Sequence, residues 1–591
     1  MSSRFDLYRS SKAPIPRETW AWNMYGSGVE SVGRGGKPER FPVPEPTAVQ
    51  LLVRVDAVGL CFSDVKAIQQ GGRHPRLHNR DLAVQPTRLG HEVALTVMKV
   101  GAALRGQFHP GQRLALQPDI FGQGKGTAYG YAIPGGLTQF HLIGPRILDG
   151  DAGSYVLPMA GDLGYAEIAL TEPWACVEAA YTQRRRLTPK PGGTMWILGR
   201  PGDATNYEFS SGLDAPATVV TTDVPPTLLA RVKQEVAARG ATLVLRDGLS
   251  PVDYPALQSE LTSGGGFDDI VLLDLRSAQA VSQAAKMIAR RGTFNLIGHT
   301  PLDGCPLIDV GRIHYDYTAY LGHCGPDIAA AYGEMRNRCR LRPGGVALVV
   351  GAGGPMGQMH VQRAIEILPG PALILATDIN AARLDSLETR FGPLAQQRRK
   401  RLVVAFNPSA GRGRHPAGAV NSLCDFVMRQ TDGRGADDVV LCVPSAKVIA
   451  EAAQTLSPDG MFVLFAGVPN GTLAPLNLSA VYLHNAQFTG TSGSTLADQR
   501  AVIRQTLASK LSPNQSVAAV GGIEAALDGI RAVIEGRYPG KAVIFPQISG
   551  LPLTGLPDLK TVAPAVAERL ATGDVWTREA EAMLIELLWE P

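Results

Sequence analysis

No Cys-x-x-Cys pair occurs in this chain, and no cysteine lies between Cys61 and Cys176. The seven cysteines, Cys61, Cys176, Cys305, Cys324, Cys339, Cys424 and Cys442, are scattered through 591 residues. That pattern argues against a disulfide framework, and a reducing cytoplasm is the expected compartment. No apolar run approaches the roughly 18 residues that cross a bilayer. The opening MSSRFDLYRSSKAPIPRETW has no apolar segment of the kind that directs secretion. Net charge is small too. A formal net charge of +4 over this length makes no case for nucleic acid. The runs Arg184-Arg185-Arg186 and Arg398-Arg399-Lys400-Arg401 lack interleaved aromatics for base stacking and read as solvated faces. The expected partner is therefore a small molecule, with neither nucleic acid nor membrane, in a chain that forms a homo-oligomer.

A single core rarely grows beyond about 250–300 residues, so several domains are expected. At one place the sequence is dense in glycine. Val346 to Val350 is an apolar run of strand length, and Gly351, Gly353, Gly354 and Gly357 follow it. Gln358 to Leu368 reads as a helix and Leu373 to Ala376 as a second strand, ending in Thr377-Asp378. Strand, glycine turn, helix, strand and acid, in that order, make a dinucleotide-binding unit. The glycines let the backbone approach a pyrophosphate, and the helix start offers unpaired N–H groups. Gly351, Gly353, Gly354, Pro355, Met356 and Gly357 are thus the candidate cofactor contacts. Asp378, about 20 residues after the last glycine, is the candidate ribose acceptor. A carboxylate there favours NAD over NADP, although Arg383 is close enough in sequence to oppose it. The spacing departs from strict G-x-G-x-x-G: either Gly351-x-Gly353 carries an extra residue, or Ala352-x-Gly354-x-x-Gly357 is the register. An ordinary βα turn with no ligand is the alternative reading.

Residues 1 to about 150 read as β-rich, with strands at Val49 to Val55, Val93 to Val100 and Arg113 to Gln117. Ala166 to Arg186 turns helical, with Glu172-Pro173 near a helix start. An internal duplication follows. Pro191-Gly192-Gly193 and its strand match Pro343-Gly344-Gly345 and its strand. The stretches 267–298 and 436–467 match in turn, and YTAYLGHCG (317–325) lies over FTGTSGSTL (488–496). The first copy replaces the glycine turn with Gly199-Arg200-Pro201-Gly202-Asp203-Ala204. It lacks the last glycine, and Asp203 places negative charge where phosphates would sit, so it is expected to hold no dinucleotide. The second copy carries an extra stretch, Leu394 to Gly418, expected as an exposed loop around a strand Leu402 to Phe406. Ile523 to Gly536 reads as a helix and Lys541 to Phe545 as a strand. Thr577 to Trp589 reads as a helix packed in this chain or at an oligomer interface.

Three motifs precede the duplicated units: Gly59-Leu60-Cys61-Phe62-Ser63-Asp64, Gly90-His91-Glu92-Val93 and Thr171-Glu172-Pro173-Trp174-Ala175-Cys176. A thiolate, an imidazole and a carboxylate are ligand types that Zn²⁺ takes, and three protein ligands leave a fourth position open. Each motif alone is more often core or turn. Their co-occurrence ahead of a dinucleotide unit carries the signal.

At these residues the chain resembles the zinc-dependent medium-chain dehydrogenase/reductase family, the alcohol and polyol dehydrogenases. Tyr129-Gly130-Tyr131 and Gly135-Gly136 resemble its sorbose-1-phosphate-reductase-like members. The resemblance implies an α/β protein: a β-rich GroES-like catalytic domain plus two tandem Rossmann-type units with doubly wound parallel sheets. The expected limits are 1–188 for the catalytic domain, completed by about 521–549, then 189–340 and 341–520 for the two units, and 550–591 for a tail. It implies Cys61 and His91 as zinc ligands and Glu172 as a third, with Glu92 or Cys176 as substitutes. It implies Ser63 as the hydroxyl that meets the substrate alcohol and Asp64 as the support of His91. The implied activity is hydride transfer between NAD and a secondary alcohol of a polyol, sugar or sugar phosphate. A non-catalytic NAD-binding protein and a zinc-free quinone-reductase-like enzyme are the rival readings. The Cys61–His91 interval holds Arg73, His74, Arg76, His78 and Arg80, either an anion-binding loop or a solvated basic one.

Overall fold

The structure, a computed structural model, describes residues 3–407 and 422–591. The N-terminal part is built on an eight-stranded sheet. Leu51–Gly59 (β1) is buried along its whole length, as a central strand must be. It runs directly into helix Phe62–Gln70 (α1). Glu92–Val100 (β2), Arg113–Leu116 (β3), Phe140–Ile143 (β4) and Val156–Pro158 (β5) complete the N-terminal share.

Helix Tyr165–Ala179 (α2) crosses this sheet. Pro173 lies inside α2 and not near its start, contrary to the sequence reading. The start is fixed upstream: the Gly164 N–H donates to Glu167 at 2.8 Å, and Tyr165 and Ala166 donate to the Glu581 carboxylate. Those acceptors satisfy the free donors of the first turn.

The first nucleotide-fold unit contributes Thr194–Leu198 (β6), Thr218–Thr222 (β7), Thr242–Leu245 (β8), Phe267–Leu273 (β9) and Ile288–Ile297 (β10). Leu307–Asp309 (β11), helix Val310–Tyr315 (α3) and Ala319–His323 (β12) follow. The second unit has Val346–Val350 (β13), helix Pro355–Glu366 (α4), Leu373–Asp378 (β14), helix Ala381–Gln397 (α5) and Arg401–Phe406 (β15). Ala436–Leu441 (β16), Leu456–Leu464 (β17), Leu473–Pro475 (β18) and Gln487–Gly490 (β19) complete it. Helix α4 begins three residues before the expected Gln358, because Pro355 takes the first position, where its missing N–H costs nothing. The expected loop from Leu394 is helical as far as Gln397, and its part from 408 to 418 lies outside the described residues.

The two units form one sheet of twelve strands, in the order β8-β7-β6-β9-β10-β12-β19-β17-β16-β13-β14-β15. Within each half the strands are parallel. The halves meet through β12 and β19, which run antiparallel with Tyr320 opposite Phe488. A ribbon of β11 and β18, antiparallel from Leu307–Pro475 to Asp309–Leu473, crosses the same junction. One apolar cluster holds Phe294 and Tyr320 from the first half together with Phe462 and Phe488 from the second.

The chain then returns to the eight-stranded sheet with Val517–Gly522 (β20), helix Ala526–Glu535 (α6), Lys541–Phe545 (β21) and Thr554–Gly555 (β22). The sheet order is β5-β3-β2-β1-β21-β20-β22, with β4 on the edge of β1. Helix Arg578–Leu588 (α7) packs within this chain: Glu586 accepts from the Phe5 N–H at 2.8 Å, and Trp589 meets the Tyr8 ring edge-on at 4.9 Å.

The arginine run 184–186 is not a solvated face. Arg184 pairs with Asp498, and Arg186 with Asp269 at 3.0 Å. Arg185 is buried at the junction, donating to Ile313 O and Thr318 O of the first unit and to Thr489 Oγ1 and Gly490 O of the second. Lys400 is also buried, donating to the Ala364 and Ile367 carbonyls at 2.6 and 2.8 Å. Residues 398–407 are otherwise a helix end and an edge strand.

Candidate functional site

The end of β1 and the start of α1 carry the first motif. Cys61 is the cap residue of α1, and its N–H donates to Asp64 Oδ2 at 3.0 Å. Ser63 Oγ donates to Cys61 Sγ at 3.0 Å and stands 3.3 Å from His91 Nε2. The other ring nitrogen, Nδ1, lies 3.2 Å from Asp64 Oδ1, which also accepts the Gly90 N–H at 3.3 Å. Burial alone would lower the His91 imidazole, but the Asp64 carboxylate raises it well above its usual value. Asp64 is held low, against its burial, by His91 and by the two backbone donors.

The ligand atoms of Cys61, His91 and Glu92 all lie within 4.8 Å of one another. Glu92 is fully buried and pairs with Lys541 of β21. Its Oε2 has no hydrogen-bond partner. Gly59 leaves the space for that oxygen, since a Cβ there would stand 2.1 Å from it. Glu172, on α2, is not part of this cluster among the described residues. It accepts from Cys176 Sγ at 3.8 Å, and burial pushes it up to about 7 against the pull of His91. Burial likewise raises the Cys176 thiol. Of the basic loop, only part faces the site: Arg76 pairs with Asp119 at 2.8 Å and lies 5.2 Å from the Tyr131 ring, whereas Arg80 donates to the Ala132 carbonyl. His74 stacks on Tyr131, whose ring lies 5.8 Å from that of His91.

The glycine turn stands across a cleft from this cluster. Gly351 has φ +80°, a left-handed conformation that glycine adopts readily. A Cβ on Gly357 would lie 2.1 Å from the Gly351 carbonyl oxygen, so the turn closes this tightly only without a side chain. Asp378 Oδ2 accepts the Gly353 N–H at 2.9 Å, and its Oδ1 accepts from Ile379 and Asn380 at 2.8 and 3.0 Å. Arg383 donates to the Gly536 carbonyl at 2.8 Å. A cavity of about 350 Å³ joins the two regions, bordered by Cys61, Phe62, Pro355, Met356, Arg383 and Lys541.

The first unit has no equivalent turn. No helix lies in the stretch 199–217 between β6 and β7. Asp203 instead folds the backbone locally, accepting from Thr205 and Tyr207. A helix N-terminus aimed at a phosphate is missing there.

Residues 47–178 match the alcohol dehydrogenase GroES-like domain. The uncharacterized protein YggP of Escherichia coli K12 is 32% identical over 305 residues, which span 48% of this chain and 70% of that protein. A sorbitol dehydrogenase of Macaca fascicularis is 38% identical over 307 residues, 48% of this chain and 78% of its own. The chain belongs to the medium-chain dehydrogenase/reductase family. L-sorbose 1-phosphate reductase of Klebsiella pneumoniae is a further relative, 27% identical over 338 residues, 54% of this chain and 79% of its own. This medium-chain dehydrogenase is accordingly an oxidoreductase of the alcohol and polyol dehydrogenase type.

Sequence reasoning missed Lys541, which sits 449 positions from Glu92. No local pattern marks such a pair. Tyr131 stands out in the sequence only through the motif Tyr129-Gly130-Tyr131, and its place between His74 and His91 follows from the fold.

Proposed function

We propose that this medium-chain dehydrogenase uses zinc and NAD to interconvert a secondary alcohol of a polyol, sugar or sugar phosphate with the corresponding ketone. Residues 1–188, completed by about 521–549, form its catalytic domain, 341–520 bind the cofactor, 189–340 bind none and 550–591 form a tail. The observation that carries the reading is the Ser63 hydroxyl set between Cys61 Sγ and His91 Nε2, with Asp64 fixing the far side of the ring.

The donors fit a zinc ion. Cys61 supplies a thiolate and His91 supplies Nε2, with its tautomer set by Asp64. Glu172 is the third ligand of choice, because Glu92 is already neutralised by Lys541. When bound, zinc supplies Lewis acidity that brings an alcohol proton within reach of neutral pH. Ser63 would take that proton and pass it toward solvent. The cradle of Gly351, Gly353, Gly354, Pro355, Met356 and Gly357 fits a pyrophosphate, and Asp378 fits the ribose hydroxyls of NAD. Because β12 and β19 occupy each other's edges, association with a second copy would use a different surface.

The test is a metal assay on protein purified without chelators, followed by a panel of polyols and polyol phosphates with NAD, read as NADH. One zinc per chain and turnover of at least one polyol are expected. Full turnover in metal-free protein would overturn the zinc assignment, and no NADH from any alcohol would overturn the activity.

A further inference from the structure

The first unit holds no glycine turn, yet its helix α3 reaches the cleft of the second. Gly467 follows β17, the second unit's fifth strand in chain order. A methyl group on Gly467 would stand 2.8 Å from the Tyr315 hydroxyl, 3.5 Å from Lys66 Nζ and 3.7 Å from His314 Nε2. Tyr315 and His314 come from α3, Lys66 from α1, and Gly467 from the cofactor unit. Lys66 is one turn beyond Ser63, and residues three apart share a helix face. This meeting point therefore adjoins the Cys61–Ser63–His91 cluster.

The charges at this point are unbalanced. None of the ion pairs among the described residues uses Lys66. Three nearby carboxylates are engaged, Asp119 with Arg76, Asp64 with His91 and Glu92 with Lys541, and the fourth, Glu172, whose charge also reaches Arg76, is the one assigned to zinc. His314 offers no positive charge, since burial first and Lys66 further on lower it to about 4. Its Nδ1 faces the Leu464 carbonyl at 3.1 Å, which makes Nε2 an acceptor that can orient the Tyr315 hydroxyl or the Lys66 ammonium. Burial raises the Tyr315 phenol, and the charge of Arg76, itself paired with Asp119 at 2.8 Å, opposes that rise. A half-buried ammonium that no described carboxylate pairs favours an anion, and the Arg76 guanidinium, shared with Asp119, adds to the positive field.

We propose that the first nucleotide-fold unit is retained as an internal partner that completes the second unit's substrate cleft, and that Lys66, Arg76 and the Tyr315 hydroxyl form a subsite for a phosphate carried by the substrate. The proposal rests on the polyol dehydrogenase reading and names its substrate class: a polyol or ketose phosphate whose reacting carbon lies a few bonds from the phosphate. Lys66 and Arg76 supply charge, Tyr315 a neutral donor, and His314 orientation. The site is incomplete without the first unit, which accounts for a unit that keeps its sheet and α3 while its turn has lost the features of a cofactor site.

The experiment compares a polyol phosphate with the same polyol unphosphorylated, in wild type, Lys66→Met and Tyr315→Phe. One charge-assisted hydrogen bond corresponds to about 10- to 150-fold in kcat/KM. Lys66→Met should therefore lower the phosphorylated-to-free ratio by at least about tenfold, and Tyr315→Phe by a smaller factor. Inorganic phosphate should compete with the polyol phosphate in wild type and much more weakly in Lys66→Met. Equal losses on both substrates, or a rise confined to the KM for NAD, would overturn the subsite and assign Lys66 to general catalysis or to the cofactor. If no alcohol yields NADH, the activity reading fails on its own. Calorimetry with inorganic phosphate then decides the subsite: binding by wild type and not by Lys66→Met supports it, and no binding by wild type sinks it.

Discussion

Tyr320 stands opposite Phe488 where β12 and β19 pair, and the two are equivalent positions of the repeated unit. The registers show the equivalence. Asp269 faces Thr293 and Thr293 faces Ala319 in the first half, while Asp438 faces Met461 and Met461 faces Gln487 in the second. Ala319 thus corresponds to Gln487, and Tyr320 to Phe488. A residue that pairs with its own counterpart lies on a local two-fold axis, as in an isologous dimer. The junction is a dimer interface folded into one chain.

Arg185 anchors this junction through neutral acceptors alone, two from each half. Its burial lowers the guanidinium to about 10. Arg185→Ala would leave several buried carbonyls without donors and should cost about 2–4 kcal/mol. Urea denaturation checks this, and a shift below about 0.5 kcal/mol, the scale of a neutral surface change, would show that the junction does not depend on Arg185.

The two candidate carboxylates divide cleanly on paper. Glu172→Gln should lower zinc affinity at least about tenfold, comparable to the loss of a supporting group or more. Glu92→Gln keeps the shape but leaves Lys541 buried without its partner, so its main effect should be on stability, about 3–5 kcal/mol. Zinc titration and urea midpoints of both variants separate the roles. If Glu92→Gln loses the metal and Glu172→Gln keeps it, Glu92 is the ligand.

Much of this was legible beforehand because the chemistry was local. Cys61, Ser63 and Asp64 fall within four positions, His91 and Glu92 are neighbours, and Gly351 to Asp378 is one continuous unit. The duplication was legible too, but its last segment was not in register: Tyr317 was laid over Phe488, whereas the sheet places Tyr320 there. Loops of unequal length defeat an ungapped match. What no pattern announced were contacts between distant segments, namely Lys541 with Glu92, Glu581 on the start of α2, and Tyr315 against Gly467. Nor did composition distinguish a solvated arginine run from Arg185, which is buried because two half-sheets close over it.

Cofactor choice should turn on Asp378, which has two duties. Its Oδ2 already holds the Gly353 N–H, and the same carboxylate would accept from the ribose of NAD. NAD should be preferred over NADP by at least about tenfold in kcat/KM, since charge-assisted hydrogen bonds of about 1.5–3 kcal/mol are at stake. Asp378→Ser should narrow the gap mainly by improving NADP, while NAD loses its ribose acceptor and the Gly353 N–H loses its partner. Gly357→Ala should abolish cofactor binding outright, because its Cβ would meet the Gly351 carbonyl. Equal use of NADP by wild type would mean that Arg383 or another cation offsets Asp378.

Acid should act on stability through buried histidines that stay neutral. Burial, helped by Arg88 and Arg363 respectively, lowers both His141 and His360 to about 3. His360 Nδ1 lies 2.7 Å from the Tyr181 hydroxyl, and its Nε2 has no partner to welcome a proton. The folded value lies below the unfolded 6.5, so the unfolded chain binds more protons below that pH. The contribution is complete above about pH 6.5 and is lost as pH falls toward 3, at about 1.4 kcal/mol per pH unit for each histidine. Buried carboxyls pull the other way. Glu366 and Glu581, raised by burial to about 7 from 4.5, cost stability as pH rises between those values. The two effects oppose each other from about pH 4.5 to 6.5, so wild-type stability should change less there than either set of groups alone would make it. Single variants expose the terms. The destabilisation caused by His360→Gln should shrink by about 1.4 kcal/mol per unit as pH drops from 6.5, and that of Glu581→Gln should shrink as pH rises toward 7. Urea midpoints at pH 7, 6 and 5 measure both slopes. A His360→Gln penalty that stays constant across them would mean that His360 takes up its proton in the folded chain.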